Sequence, residues 1–159
     1  MTIQDFITLV EQMKRSSVPR RLIFLWSGPT KELENILEGI ETHRINVASV
    51  YAEGQPVSED NQHILETYLK EICKSYEDKR NEPSVLIVEN AILLARYGCD
   101  MSPIFRYGIS PRSAVILVFP KESYRQLPIR TEGWVKRDTH TIFLQMAKQL
   151  GEPGCIIEA

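Results

Sequence analysis

Two junctions in this 159-residue chain carry residue types that could do chemistry. The first is Leu25-Trp26-Ser27-Gly28-Pro29-Thr30-Lys31-Glu32, where an apolar run breaks at Ser-Gly-Pro before a helical pattern begins. A phosphate-binding loop joins a strand to a helix through G-x-x-x-x-G-K-[ST]. Its amides cradle the phosphate, its lysine reaches the outer phosphates and its hydroxyl holds magnesium. Gly28 fits the opening of such a loop and Lys31 lies in the right neighbourhood. The second glycine and the Gly-Lys-Thr ending are missing, as in a shortened loop, and Glu32 would repel phosphate. The same residues also read as a plain strand–turn–helix connection.

The second junction is Val85-Leu86-Ile87-Val88-Glu89-Asn90, four apolar residues ending in an acid and an amide. A carboxylate at a strand exit can hold a metal, or it can simply meet solvent. Asn90 follows, and an amide cannot take a proton from an attacking water, so general-base catalysis is not expected there. No catalytic residue is assigned.

A third place is the basic stretch Arg125, Arg130, Lys136 and Arg137, which also holds Tyr124 and Trp134. Aromatic and Arg side chains in one long connection suit a protein interface. They could equally stack on bases and meet phosphates. A third reading packs Trp134 over the sheet and leaves the basic residues solvated.

The remaining polar residues add little. His43, His63 and His140 have no His-x-x-x-His or Cys-x-x-Cys companion, which predicts surface or helix-cap roles and no metal site. Cys99 is expected on a loop, where it could be exposed, with no base to make it a nucleophile, and Cys73 is expected to be buried on a helix stripe. Three widely spaced cysteines exclude a disulfide framework and a short-spaced zinc site, and they suit a reducing, cytoplasmic setting.

These residues need elements to position them. Apolar spacing predicts a helix from Ile3 to Met13, ended before Pro19, and a buried strand at Leu22–Trp26. Thr30 is expected to cap a second helix with the stripe Leu33, Ile36, Leu37 and Ile40. A second strand is expected at Asn46–Tyr51, and a long helix from about Asp60 to Arg80 with the stripe Ile64, Leu65, Tyr68, Leu69, Ile72, Cys73 and Tyr76. The third strand is Val85–Val88. Short helices follow at Ala91–Tyr97 and Met101–Tyr107, then a fourth strand at Ala114–Phe119, a helix from Asp138 to Leu150 and a short strand at Cys155–Ile157. Unalternated apolar strands between helices imply a parallel sheet covered on both faces. The expected fold is three-layer α/β with a mostly parallel five-stranded sheet. It is one domain over residues 1–159, with an N-terminal helix in 1–18 and the sheet core in 21–157.

Composition limits the rest. Hydrophobic residues make up 43% and charged residues 25%, which suits a folded globular domain. The formal net charge of −2 gives no general attraction to nucleic acid. The apolar runs are too short to cross a bilayer, and the N-terminus has no basic-then-apolar leader, so no membrane contact is expected.

The order of these features resembles the core of AAA-type P-loop ATPases: a strand with a Gly-Pro turn, a later strand ending in an acid, and a fourth strand with Pro120 at its exit. More narrowly, it resembles the small P-loop protein of BREX bacteriophage-exclusion systems. The resemblance spans about Arg21 to Ile157. It implies a P-loop-like fold in which Gly28 and Lys31 are remnants of the phosphate loop and Glu89 a remnant of the magnesium site. Phe119-Pro120 departs from the pattern, replacing the polar residue at the end of the fourth strand. The implied function is a catalytically inactive accessory subunit of a larger protein complex in antiphage defence, without a cofactor. The alternatives are an ATPase that binds ATP and magnesium through an atypical loop, and a nucleic-acid-binding accessory domain.

Overall fold

A computed structural model describes residues 1–16, 18, 22–50, 59–96, 99–107, 112–118 and 156–157. Helix α1 spans Ile3–Arg15. Its N-terminus is closed by a capping box, with Thr2 Oγ1 accepting from the Asp5 amide and the Asp5 carboxylate accepting from the Thr2 amide. Strand β1 is Leu22–Trp26, α2 is Thr30–Ile36 and β2 is Glu41–Asn46, followed by a 3₁₀ turn at Val47–Val50. Helix α3 runs Glu59–Lys79, β3 Ser84–Glu89, α4 Ile92–Arg96, α5 Ser102–Tyr107 and β4 Ser113–Val118.

The sheet is parallel throughout, and its four main strands lie in the order β2-β3-β4-β1. Strand β4 separates β1 from β3. The short strand expected at Cys155–Ile157 is reduced to β5, the pair Ile156–Ile157, laddered beside Leu25 and Trp26 on the free edge of β1.

Alternate residues of each strand feed two cores, so helices cover both faces. On one face Phe24, Trp26, Val85, Ile87, Ala114, Ile116 and Val118 pack with Phe6, Val10 and Met13 of α1 and Leu33 of α2. On the other, Ile23, Leu25, Leu86, Val88, Val115 and Leu117 pack with Leu65, Leu69 and Cys73 of α3 and Ile104 and Tyr107 of α5. Strands β3 and β4 are buried almost throughout, as the centre of a two-sided sheet requires. Arg112, at the start of β4, donates to the carbonyls of Met13 and Lys14 and so closes the C-terminal end of α1.

Several expectations need correction. The second strand is Glu41–Asn46 and not Asn46–Tyr51. Asn46 Oδ1 accepts from the Ala48 amide at 3.0 Å and turns the chain into the 3₁₀ segment. Helix α2 ends at Ile36, ahead of the Gly39 turn at φ 84°, although Leu37 and Ile40 keep their buried places. Thr30 is the first helical residue; Pro29 holds the cap position and offers no side-chain bond. Ile64 is 46% exposed and lies outside the buried stripe of α3. The expected helix at 138–150 lies outside the described residues.

Candidate functional site

The C-terminal edge of a parallel sheet is where ligands meet an open α/β fold, because strand exits and helix starts converge there. Both sequence-marked junctions lie on this edge. Trp26 is registered with Val118 and Val88 with Leu117, so the exits of β1 and β3 stand level on either side of β4. Two strand spacings put them about 10 Å apart across the sheet.

At the β1 exit only Ser27, Gly28 and Pro29 connect strand to helix. The Trp26 side chain is fully buried against Phe6, with ring centroids 5.9 Å apart, and its indole N–H donates to the Pro29 carbonyl at 3.3 Å. This bond satisfies the one polar group of a buried tryptophan and folds the short turn back onto the strand. A phosphate cradle needs a run of amides facing a concavity. Three residues tied down in this way are too few to form that concave nest. Lys31 is exposed and makes no ion pair among the described residues.

At the β3 exit Glu89 already has a counterion. Arg44 Nη1 lies 3.2 Å from Glu89 Oε1, and its Nη2 lies 2.6 Å from Glu34 Oε1 on α2. Parallel register explains the meeting. Arg44 pairs with Ile87 and Asn46 with Glu89, so Arg44 and Glu89 lie two residues apart on one face of neighbouring strands. The guanidinium between two carboxylates places one positive charge beside Glu89, where a divalent ion would bring two. Asn90 adopts φ 56°, a left-handed conformation that asparagine tolerates better than most residues, and its Nδ2 donates to Asn46 Oδ1 at 2.7 Å. Its amide is thus engaged in joining two strand exits.

The structure therefore brings Gly28, Lys31 and Glu89 to one edge but joins neither Gly28 nor Lys31 to Glu89 by any hydrogen bond or ion pair among the described residues. Sequence reasoning gave no role to Glu34, Arg44 or Asn46, and Arg44 escaped it because β2 was sought as an apolar run. The detectable signal was the Thr42/Arg44/Asn46 alternation, a polar face on an edge strand. Tyr124, Arg125, Arg130, Trp134, Lys136, Arg137, His140, Pro120 and Cys155 lie outside the described residues.

Two further expectations fail at other positions. Cys99 is buried rather than exposed, and burial, with Glu66 nearby, pushes its thiol up to about 12. His43 is not a plain surface histidine. Its ring stacks on Tyr76 at 4.6 Å, and its Nε2 lies 3.4 Å from Glu41 Oε1, in ion-pair range but without hydrogen-bond alignment. His63 is exposed, as expected. Among the described residues no group of acids, histidines and cysteines is arranged to hold a metal, and no helix is long and apolar enough to cross a membrane.

Comparison of the sequence with protein-family models and with curated proteins finds no match.

Proposed function

We propose that this protein is a catalytically inactive, P-loop-like subunit that works by binding larger protein partners, in an assembly of the antiphage kind that the BREX resemblance implies. The observation that carries this reading is Arg44 on Glu89: the acid that the resemblance assigns to magnesium is already ion-paired with the protein's own guanidinium. Asn90 in place of a base, held by Asn46, supports the same reading. So does the three-residue turn that Trp26 ties down. The P-loop-like part rests on strand order. Strand β4 lies between the Gly-Pro strand and the acid-ending strand in a parallel sheet, which is compatible with a fold of that kind.

On this reading Gly28, Lys31 and Glu89 are remnants, and the working surface is the Tyr124–Arg137 segment. That stretch offers two aromatics and four basic residues against one acid, Glu132, which suits an acidic partner.

Two measurements test it. Titration calorimetry with Mg-ATP should show no binding heat, and turnover should stay at background in the wild type and in Glu89→Gln alike. Micromolar binding that disappears in Lys31→Ala would replace this reading with the nucleotide-binding one. Partner capture from the native host should lose at least one protein in Trp134→Ala, since truncating a central aromatic anchor costs about 2 kcal/mol, roughly thirty-fold in affinity. Undiminished capture from a folded variant would remove the segment from the interface.

A further inference from the structure

Away from the strand exits, α3 and α5 enclose an open groove of about 240 Å³ lined by Lys70, Cys73, Lys74, Glu77, Asp78, Pro103 and Arg106. One water occupies about 30 Å³ of liquid, so the space suits a group several times larger than a single water.

The charges are unevenly spent. Lys70 and Lys74 stand one helical turn apart on α3, and Arg106 reaches the groove from the last turn of α5. None of the three forms an ion pair with another described residue. Glu77 and Asp78 line the same groove and leave it one positive charge in excess, with no ion pair to the three cations among the described residues. Cys73 lines the groove with its side chain buried, and burial together with Glu77 pushes its thiol up to about 12. It therefore stays neutral near pH 7 and adds no charge to repel an anion.

We propose that the α3–α5 groove binds a phosphate monoester, with Lys70, Lys74 and Arg106 holding the phosphate and Glu77 and Asp78 accepting hydrogen bonds from the ester's hydroxyl or amino groups. Three cations lining one concavity match a dianion better than a single carboxylate, and the guanidinium fork offers paired donors to two phosphate oxygens. The acids select against a bare polyanion and favour an ester bearing donors. The ester could be a small sugar phosphate or a phosphorylated side chain of another protein, because both present the same group. This site is separate from the remnants at Gly28, Lys31 and Glu89.

The test is titration of the full-length protein with ribose 5-phosphate, with a phosphoserine peptide and with the same peptide unphosphorylated. At least one phosphorylated probe should bind, and Arg106→Gln and Lys74→Gln should each weaken it about tenfold or more, while Lys31→Ala leaves it unchanged. Affinity should rise between about pH 5 and 7 as the monoester takes its second negative charge near pH 6. Preference for the sugar phosphate identifies a metabolite site, and preference for the phosphopeptide a docking site. No binding of either phosphorylated probe at about 10 mM would overturn the proposal, since a Kd above the millimolar range is no site. Binding indifferent to both charge-removing variants would overturn it equally. Circular dichroism of each variant, and thermal unfolding beside the wild type, separate a lost site from a lost fold.

Discussion

Asn90 donates to Asn46 across the exits of β3 and β2 at 2.7 Å, and the same Asn46 oxygen accepts the Ala48 amide at 3.0 Å. One side-chain oxygen thus joins two strand ends and starts the turn that leads away from the sheet. An aspartate at position 90 would have no proton to give it. Turning the Asn46 amide to meet the new carboxylate would strip the Ala48 amide of its acceptor instead. Asn90→Asp is therefore expected to cost about 1 kcal/mol by urea unfolding. Asn90→Ala should cost about 1 kcal/mol more than Asn90→Gly, because φ 56° strains a Cβ and glycine feels none. Equal losses for the alanine and glycine variants would contradict the left-handed assignment.

Arg44 is shared between Glu34 and Glu89, and exposure sets how much each pair is worth. The Glu34 side chain is 50% exposed and Glu89 25%. Double-mutant cycles should give the Arg44–Glu89 pair the larger coupling, up to about 1 kcal/mol, and the Arg44–Glu34 pair a few tenths. Both should shrink in about 1 M salt. A larger value for Glu34 would mean that its shorter contact, and not burial, controls the clamp.

Both buried thiols are pushed up to about 12, Cys73 by burial and Glu77, Cys99 by burial and Glu66. The thiolate is the reactive form, so neither should be labelled by a thiol reagent at neutral pH while the protein is folded. Mass spectrometry of peptides after brief labelling in native buffer, and again in denaturant, reads this directly. Labelling of either cysteine in native buffer at the rate seen in denaturant would refute it.

Asp100 accepts from both the hydroxyl and the amide of Ser102, which lowers its carboxyl below the ordinary 3.8. A depressed folded-state value means that stability from this turn is fully present above the unfolded value. It is lost as pH falls through the folded one. Asp100→Asn should therefore flatten the stability profile below about pH 4 and leave its slope at pH 6 to 8 unaltered. The carboxylate is well exposed, so the effect is small. A change confined to neutral pH would point to a different cause.

The central strands were legible because burial on both faces forces unbroken apolar runs: Leu22–Trp26 agrees to the residue and β3 and β4 to within one. The edge strand was not. Glu-Thr-His-Arg-Ile-Asn buries only Ile45 fully, and nothing in hydrophobic periodicity separates it from a polar turn. Position on the sheet edge, a tertiary property, made it a strand. The same limit hid half of the candidate site. Glu89 could be read from its own strand, but Arg44 meets it only through the register of a strand that periodicity does not show. Cys99 was misplaced for a related reason. Its backbone N–H reaches the Leu94 carbonyl and carries a loop residue inward, which local sequence does not reveal.

The insertion of β4 between β1 and β3 also governs the order of assembly. Strand β1 has leading partners only from residue 113 onward, and β3 gains its second neighbour at the same moment. Until then β1 has no native neighbour among the described strands that precede it or follow it up to β4, and α1 lacks the Arg112 side chain that closes its end. Contacts this distant along the chain slow folding and leave strand edges open to other molecules during synthesis. A ribosome-bound chain stopped short of Ser113 should therefore be protease-sensitive at α1 and β1, and emergence of β4 should bring both faces of the sheet to order together.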